Sequence, residues 1–377
     1  MKKKEQVKRG DIVAGKPLPR DIYNEAGLLL LKKGRLLKSQ IRLNALLARG
    51  LYFISEETAE EPVQESPVEK SIKEPSPFEL IEDIYVQLSA LFRSRGINTN
   101  FPFRVLNLSK QIQRTCQMNA DASLGAIFLY KEGNYSITHQ IHCAIICEII
   151  STHLGRSPQE RLPLLAAALT MNIAMIELQD TLFNRKEPLN VEERREVQLH
   201  PQRGAEFLKK CGVTDTAWLT AVLQHHEYMD GSGYPQGLRG DGIDHNASIL
   251  TLSDVYGTKL SPRAYRDPLP PNVATREIFT GSRGQCFDQD LVRTFIKELG
   301  IFHPGSFVRL ANGEIALVTH RGEKIHIPVV NSIARADGVS LPAPMQRDCS
   351  KDEFTITESL APKKVNVSLN KPSLWGY

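Results

Sequence analysis

The sequence predicts a mainly α-helical bundle with small β-rich modules at its two ends, and three observations lead there. Apolar residues recur at three-four spacing where the middle of the chain begins, at Leu80, Ile81, Ile84, Tyr85, Leu88 and Leu91. Two later stretches, Ala144 to Leu154 and Leu162 to Ile176, are apolar nearly throughout, as helices inside a bundle are. Before about residue 55 and after about residue 300, the pattern changes to short strand-like pieces separated by turns.

The elements follow in order. Residues 5–54 read as a small β-rich module: Asp11-Ile12-Val13, a turn at Asn24-Glu25-Ala26-Gly27, the run Leu28 to Leu31, a helix over Ser39 to Leu47, and Leu51 to Ile54. Residues 55–77 are acidic, proline-bearing and nearly free of large apolar side chains, so they read as a linker. Residues 78–300 form the helical domain, and Ala217 to His226 is a helix ending in two histidines. Residues 301–345 read as a β-hairpin extension, with Gly305 to Leu310 and Glu314 to Thr319 joined at Asn312-Gly313 and a third strand over Ile325 to Val330. The tail, 346–377, is expected to be loosely ordered.

Composition narrows the functional classes. Apolar content of 41% with 24% charged residues is that of a soluble globular protein. The net charge of +4 is spread along the chain, which favours a small anionic ligand over a nucleic-acid polymer. No apolar run approaches the roughly 20 residues that span a bilayer, and Lys32-Lys33 ends the Leu28 to Leu31 run. The start Met1-Lys2-Lys3-Lys4 reads as a solubilising end and not as a targeting signal. The cysteines show no CxxC and no disulfide-framework spacing, so a cytoplasmic location is expected, and Cys143 and Cys147 read as small core residues.

The densest chemistry lies in His225-His226-Glu227-Tyr228-Met229-Asp230-Gly231-Ser232-Gly233-Tyr234-Pro235. Adjacent histidines on a helix diverge by about 100°, so the pair can serve two metal ions, or one ion and a phosphate. The glycines allow a tight turn and a close backbone approach to a ligand, and the tyrosine can stack or donate a hydrogen bond.

This stretch, continued by Gln236-Gly237-Leu238-Arg239-Gly240, resembles the GYP signature of the HD-GYP family, metal-dependent phosphodiesterases that open cyclic di-GMP in bacterial signal transduction. The resemblance runs from about residue 135 to 300 and implies a helical HD-domain bundle. It places the metal ligands at His139, in Thr138-His139-Gln140; at His200, in His200-Pro201-Gln202-Arg203-Gly204; at His225 and His226; and at Asp254, in Ser253-Asp254-Val255-Tyr256. On the substrate side it implies Gly233, Tyr234, Pro235, Arg239, Arg263, Tyr265 and Arg266, with the arginines as phosphate-side cations.

The departures fall at the reaction centre. Where the family carries its His-Asp pair, this chain has Met171 and Asn172. Thioether sulfur is a poor ligand for Mn²⁺ or Fe²⁺, and a neutral amide cannot supply the charge that bridges two cations. Met175 replaces a phosphate-contacting lysine, Tyr135 a glutamate that serves a third metal in some members, and Gly257 a second aspartate. No residue is therefore assigned a catalytic role. The remaining ligands suit one divalent transition metal (Fe, Mn, Ni or Zn) at reduced occupancy.

The resulting expectation is a cyclic di-GMP signalling protein that binds the nucleotide, or a protein partner such as a diguanylate cyclase, with little or no turnover. The alternative is an active metal-dependent phosphodiesterase with a reduced metal site. A homodimer is a further expectation.

Overall fold

Three helices of the bundle begin at the same local device. Ser76, Ser157 and Asn190 each accept a hydrogen bond from the backbone of a glutamate three residues on, and that glutamate's side chain accepts one from the backbone of the cap in return. In the computed structural model these boxes open α1 (Pro77–Arg93), α5 (Pro158–Thr170) and α7 (Val191–Lys210). Asp215, Asp244 and Asp288 cap α8 (Thr216–Gln224), α9 (His245–Leu260) and α11 (Gln289–Leu299). The remaining helices are α2 (Phe101–Met118), α3 (Ala120–Leu129), α4 (Tyr135–His153), α6 (Ile176–Phe183) and α10 (Pro271–Thr280). The structure describes residues 3–7, 11–12, 17–23, 29–34, 51–55, 74–94, 100–129, 133–264, 266–280, 286–365, 367 and 370–377. The helix expected over 39–47, the turn at 24–27, residues 56–73 of the linker stretch and Tyr265 lie outside them.

The chain divides into two compact units, Met1–Glu74 and Pro75–Tyr377. The first holds a four-stranded antiparallel sheet in the order β1-β4-β2-β3, from Lys3–Gln6, Ile22–Tyr23, Leu29–Leu31 and Tyr52–Ser55. Val7, Ile12, Leu18, Ile22, Leu31, Leu51 and Phe53 form its own small core. The lysine-rich start, read from sequence as a solubilising end, contributes β1, because Lys3 to Gln6 pairs along the full length of β4.

In the second unit α4 is the central helix, buried along almost its whole length. Its charged Glu148 survives burial by accepting two hydrogen bonds from Arg161 of α5, at 3.0 and 2.9 Å. Removing one partner of such a pair leaves an uncompensated charge, so Glu148→Ala is expected to cost about 3–5 kcal/mol in a urea titration. Gly204 on α7 lets three elements close up: a Cβ there would sit 3.4 Å from Val222 of α8 and 3.6 Å from the Met171 carbonyl. His200 is one turn before that contact, and His225 follows the end of α8.

The C-terminal region departs from the expected hairpin. β5 (Phe307–Leu310) and β6 (Ile315–His320) pair as predicted, but they belong to a five-stranded antiparallel sheet with β7 (Val329–Ala334), β8 (Ser340–Asp348) and β9 (Ile356–Leu360), in the order β8-β7-β6-β5-β9. The third strand starts at Val329, not Ile325. The tail from 346 is not loose: it holds the end of β8, all of β9 and a short 3₁₀ turn, Pro372–Trp375. Trp375 is buried, donates its indole N–H to the Thr319 carbonyl at 2.7 Å and packs on Phe78 of α1. The exposed, polar stretch before it hid this anchor from a compositional reading.

His142 of α4 and His303 before β5 are buried and neutral; burial pushes each from an ordinary 6.5 to about 3. The unfolded chain therefore takes up protons below pH 6.5 that the folded chain refuses until about pH 3. Stability is complete above about pH 6.5 and falls with acid, by up to about 1.4 kcal/mol per pH unit for each histidine. The urea midpoint is expected to drop already between about pH 6.5 and 5, ahead of carboxylate titration; an unchanged midpoint there would count against the buried neutral state.

Candidate metal and ligand site

Four elements deliver the site. His139 comes from α4, His200 from α7, His225 and His226 from the turn after α8, and Asp254 from α9. Thr251 of α9 donates its hydroxyl to the His225 carbonyl at 2.8 Å, which fixes the turn against the helix bearing Asp254.

The two deepest imidazoles have defined tautomers. His200 Nδ1 lies 2.6 Å from the Val197 carbonyl and His225 Nδ1 lies 2.7 Å from the Val222 carbonyl. A carbonyl only accepts, so each Nδ1 carries the proton and each Nε2 presents a lone pair. Those two Nε2 atoms face one another at 3.1 Å. Burial also opposes a proton there, holding His200 down to about 3 and lowering His225 and His226. Two opposed lone pairs in a buried site fit a cation between them. Bonds of about 2.0–2.1 Å from a transition metal to two imidazoles reproduce such a separation at an angle near the tetrahedral to right-angle range.

His226, a residue further on, points elsewhere, as divergence along a helix requires. It is partly exposed, stands 3.9 Å from Asp254 Oδ2, and stacks on the Tyr234 ring at 4.7 Å. Asp254 Oδ1 bonds His139 Nε2 at 2.6 Å. Burial alone would raise the Asp254 carboxyl, but the His139 hydrogen bond and the surrounding imidazoles outweigh it and hold the group well below the usual range. Two groups could hold a metal ion: His200, His225 and His226, and His139, Cys143 and Asp254. Asp254 is the only carboxylate in either group among the described residues.

Met171 and Asn172 follow the last turn of α5, both buried. Met171 packs in the main core, while the Asn172 backbone N–H reaches Gln140, the neighbour of His139, at 3.4 Å. Gly257 also bears on the site. A Cβ there would lie 3.2 Å from the His139 ring and 3.4 Å from its Nδ1, yet that nitrogen is buried with no hydrogen-bond partner. An acceptor of the kind that usually orients a metal-binding imidazole is missing at this position.

The GYP stretch folds back on the histidines. Gly233 admits no side chain, because a Cβ would come within 2.5 Å of the His226 carbonyl and the Glu227 backbone. Tyr234 donates its backbone N–H to the His226 carbonyl at 3.1 Å, and Pro235 follows it across a cis peptide. Buried Glu227 accepts the backbone N–H of Gln236 at 2.6 Å and of Leu238 at 3.0 Å, pinning the loop from beneath.

The arginines are not equivalent. Arg263 lies 4.3 Å over the Tyr135 ring and bonds its hydroxyl at 2.7 Å, and Tyr135 in turn stacks on His139. Arg266 donates to the Thr258 carbonyl at 2.9 Å in the last turn of α9, so its guanidinium is engaged in holding the loop. Arg239 is exposed and lies along the Gly231 turn. Of the three predicted cations, Arg263 is the one the structure joins to the histidines through a shared aromatic ring. Sequence reasoning read Cys143 as a small core residue and Tyr135 only as a departure from the family, and it assigned no role to Glu227. Only Cys143 carried a sequence signal, standing four residues after His139 on one helix face.

A cleft of about 980 Å³ opens beside His200, bounded by α1, α6 and α7, and a second of about 510 Å³ lies beside Arg263. Met175 lines both.

Comparison with known proteins agrees with this architecture. The sequence pattern described as the HD domain matches residues 106–291. A cyclic di-GMP phosphodiesterase of Pseudomonas aeruginosa is 28% identical over 245 residues, covering 64% of this chain and 58% of the relative. The cyclic di-GMP phosphodiesterase response regulator RpfG of Xanthomonas campestris is 29% identical over 154 residues, 40% of each protein. The chain thus spans less than two thirds of either relative. Among solved structures, an HDG"Y"P protein from Bdellovibrio bacteriovorus shares the fold, with a TM-score of 0.50 at 14% identity over 78% of this chain and 98% of that one. No helix among the described residues is long and apolar enough to cross a membrane.

Proposed function

We propose that this chain is a cyclic di-GMP signalling protein whose HD domain is a degenerate HD-GYP domain. It binds the dinucleotide, or a protein partner such as a diguanylate cyclase, around one divalent metal ion and turns it over little or not at all. The observation that carries this reading is the neutral pair Met171 and Asn172 beside the histidines, which leaves Asp254 as the only carboxylate in the two candidate metal groups among the described residues. Two dications about 4 Å apart repel by roughly 17 kcal/mol at an effective dielectric of about 20, and one carboxylate offsets too little of that.

One ion would be held among His139, His200, His225, His226 and Asp254, and it would supply positive charge to a phosphodiester oxygen. The chain's own residues account for recognition. Tyr234, stacked on His226, offers a ring to a nucleobase, and the loop glycines allow the backbone close. Arg263, backed by Tyr135, offers a phosphate-side cation. Met175, between the two clefts, adds no charge where the family has a lysine.

The survival of His139, His200, His225, His226 and Asp254 in one place favours the second reading, an active phosphodiesterase with a reduced metal site. Anaerobic incubation with cyclic di-GMP and Mn²⁺ or Fe²⁺, products resolved by chromatography, separates the two. The expected result is an unchanged substrate peak with calorimetrically detectable binding, which Arg263→Ala weakens about ten- to a hundredfold. Linear dinucleotide or GMP that disappears in His225→Ala would overturn the leading reading.

A further inference from the structure

We propose that Cys143 is a metal ligand of this chain, a thiolate donor joining His139 and Asp254 on the α4 and α9 side of the site. The inference rests on the reading that the site holds a divalent ion, and it changes what kind of ion that is.

Cys143 and His139 are four residues apart on α4 and so share one face of the helix. The Cys143 sulfur lies 3.7 Å from His139 Nε2, the same nitrogen that faces Asp254 at 2.6 Å. A tetrahedral ion with a sulfur at about 2.3 Å and an imidazole nitrogen at about 2.05 Å holds those two atoms about 3.6 Å apart. The observed edge is already of that length, and the donor atoms of His139, Cys143 and Asp254 all lie within 4.8 Å of one another. Only the carboxylate has to withdraw, and its other oxygen already stands 3.9 Å from His226 on the neighbouring group.

The environment of the sulfur supports the assignment. Its other polar neighbour is the Ser253 carbonyl at 3.7 Å, a long contact for a thiol. Cys147, one turn on, instead meets the Ser253 hydroxyl at 3.4 Å and belongs to the packing. Opposite Cys143 stands Gly257, whose Cβ would lie 3.6 Å from the sulfur, so no side chain intervenes.

A soft sulfur donor shifts preference from Mn²⁺ toward Zn²⁺ or Co²⁺. As the metal–sulfur bond forms, the S–H bond breaks and its proton passes to water, and the proton between His139 Nε2 and Asp254 moves to His139 Nδ1 so that Nε2 presents its lone pair.

The test uses the whole 377-residue chain, metal-free, titrated anaerobically with Co²⁺. Visible ligand-field absorption reports the single Co²⁺ in the site, and a near-ultraviolet sulfur-to-cobalt charge-transfer band reports a thiolate bound to that same ion. Both are expected in the parent protein. Cys143→Ala and Cys143→Ser, checked for folding by circular dichroism, should keep the visible bands and lose the near-ultraviolet one. Visible bands without a charge-transfer band in the parent would overturn the proposal while leaving a histidine metal site standing. A charge-transfer band that persists in both variants would assign another thiol and overturn it too. Absence of all bands would overturn the metal reading, and this inference with it.

Discussion

The double variant Met171→His with Asn172→Asp is expected to bind two divalent ions per chain where the parent binds one. In the parent, the His200 and His225 lone pairs would accept a single cation, and among the described residues one carboxylate, Asp254, belongs to the candidate metal groups. A second ion requires the anionic bridge that Asn172 cannot supply. Without metal, the Asn172→Asp change buries a second carboxylate close to the site, so the metal-free variant should lose on the order of 1–4 kcal/mol. Metal should return that loss by mass action, giving the variant a larger thermal shift on metal addition than the parent shows. Restoring the bridge should also raise metal-dependent cleavage of cyclic di-GMP by on the order of a thousandfold. Metal content by mass spectrometry and calorimetry reads the stoichiometry. Two equivalents in the parent would sink the one-metal reading, whereas His200→Ala should weaken its single ion by more than the roughly 10- to 100-fold typical of losing an outer-shell partner.

Trp375→Ala is expected to cost about 3–5 kcal/mol of stability, the range for emptying a buried aromatic site. The indole touches Phe78 at a ring separation of 5.3 Å, hydrogen-bonds Thr319, and fills the space above Gly125, where a Cβ would stand 2.6 Å from the ring. It thus joins α1, α3 and β6. Gly125→Ala should be destabilising in the parent because the indole must move, and much milder in the Trp375→Ala background. Additive effects in that cycle, measured by urea unfolding, would mean that the tail does not bear on α3.

How much of this was legible in sequence depended on the range of the signal. Three-four periodicity foretold the helix around Leu80 to Leu91, and the glycines between His225-His226 and Tyr234-Pro235 foretold a tight turn, though not that it folds back on its own histidines. These are local patterns, set within a few turns of backbone. Tyr135 and Arg263 are 128 residues apart, and nothing in either neighbourhood announces that a guanidinium covers a ring that in turn covers His139. Cys143 looked like packing because its neighbours are apolar; only the pose of His139 gives the thiol a polar meaning. Arg266 resembled a phosphate cation by motif, yet the end of α9 claims it. Trp375 sits beside Leu374 in a tail with few large apolar residues, and its burial depends on Gly125 and Phe78, which are distant in sequence.

The Glu227 carboxylate has a consequence for how a ligand meets the loop. Its two amide contacts, to Gln236 and Leu238, lie beneath the surface and are made before any ligand arrives. Little disorder is left in the loop to be lost at the moment of capture, so recognition there costs few degrees of freedom. Association should then be governed by encounter rather than by rearrangement, and the heat-capacity change should be small for the area covered. The Gln236 and Leu238 amide hydrogens should exchange slowly with solvent deuterium whether or not nucleotide is present, and Glu227→Gln should convert the site from a rigid receptor into one that must organise around its guest.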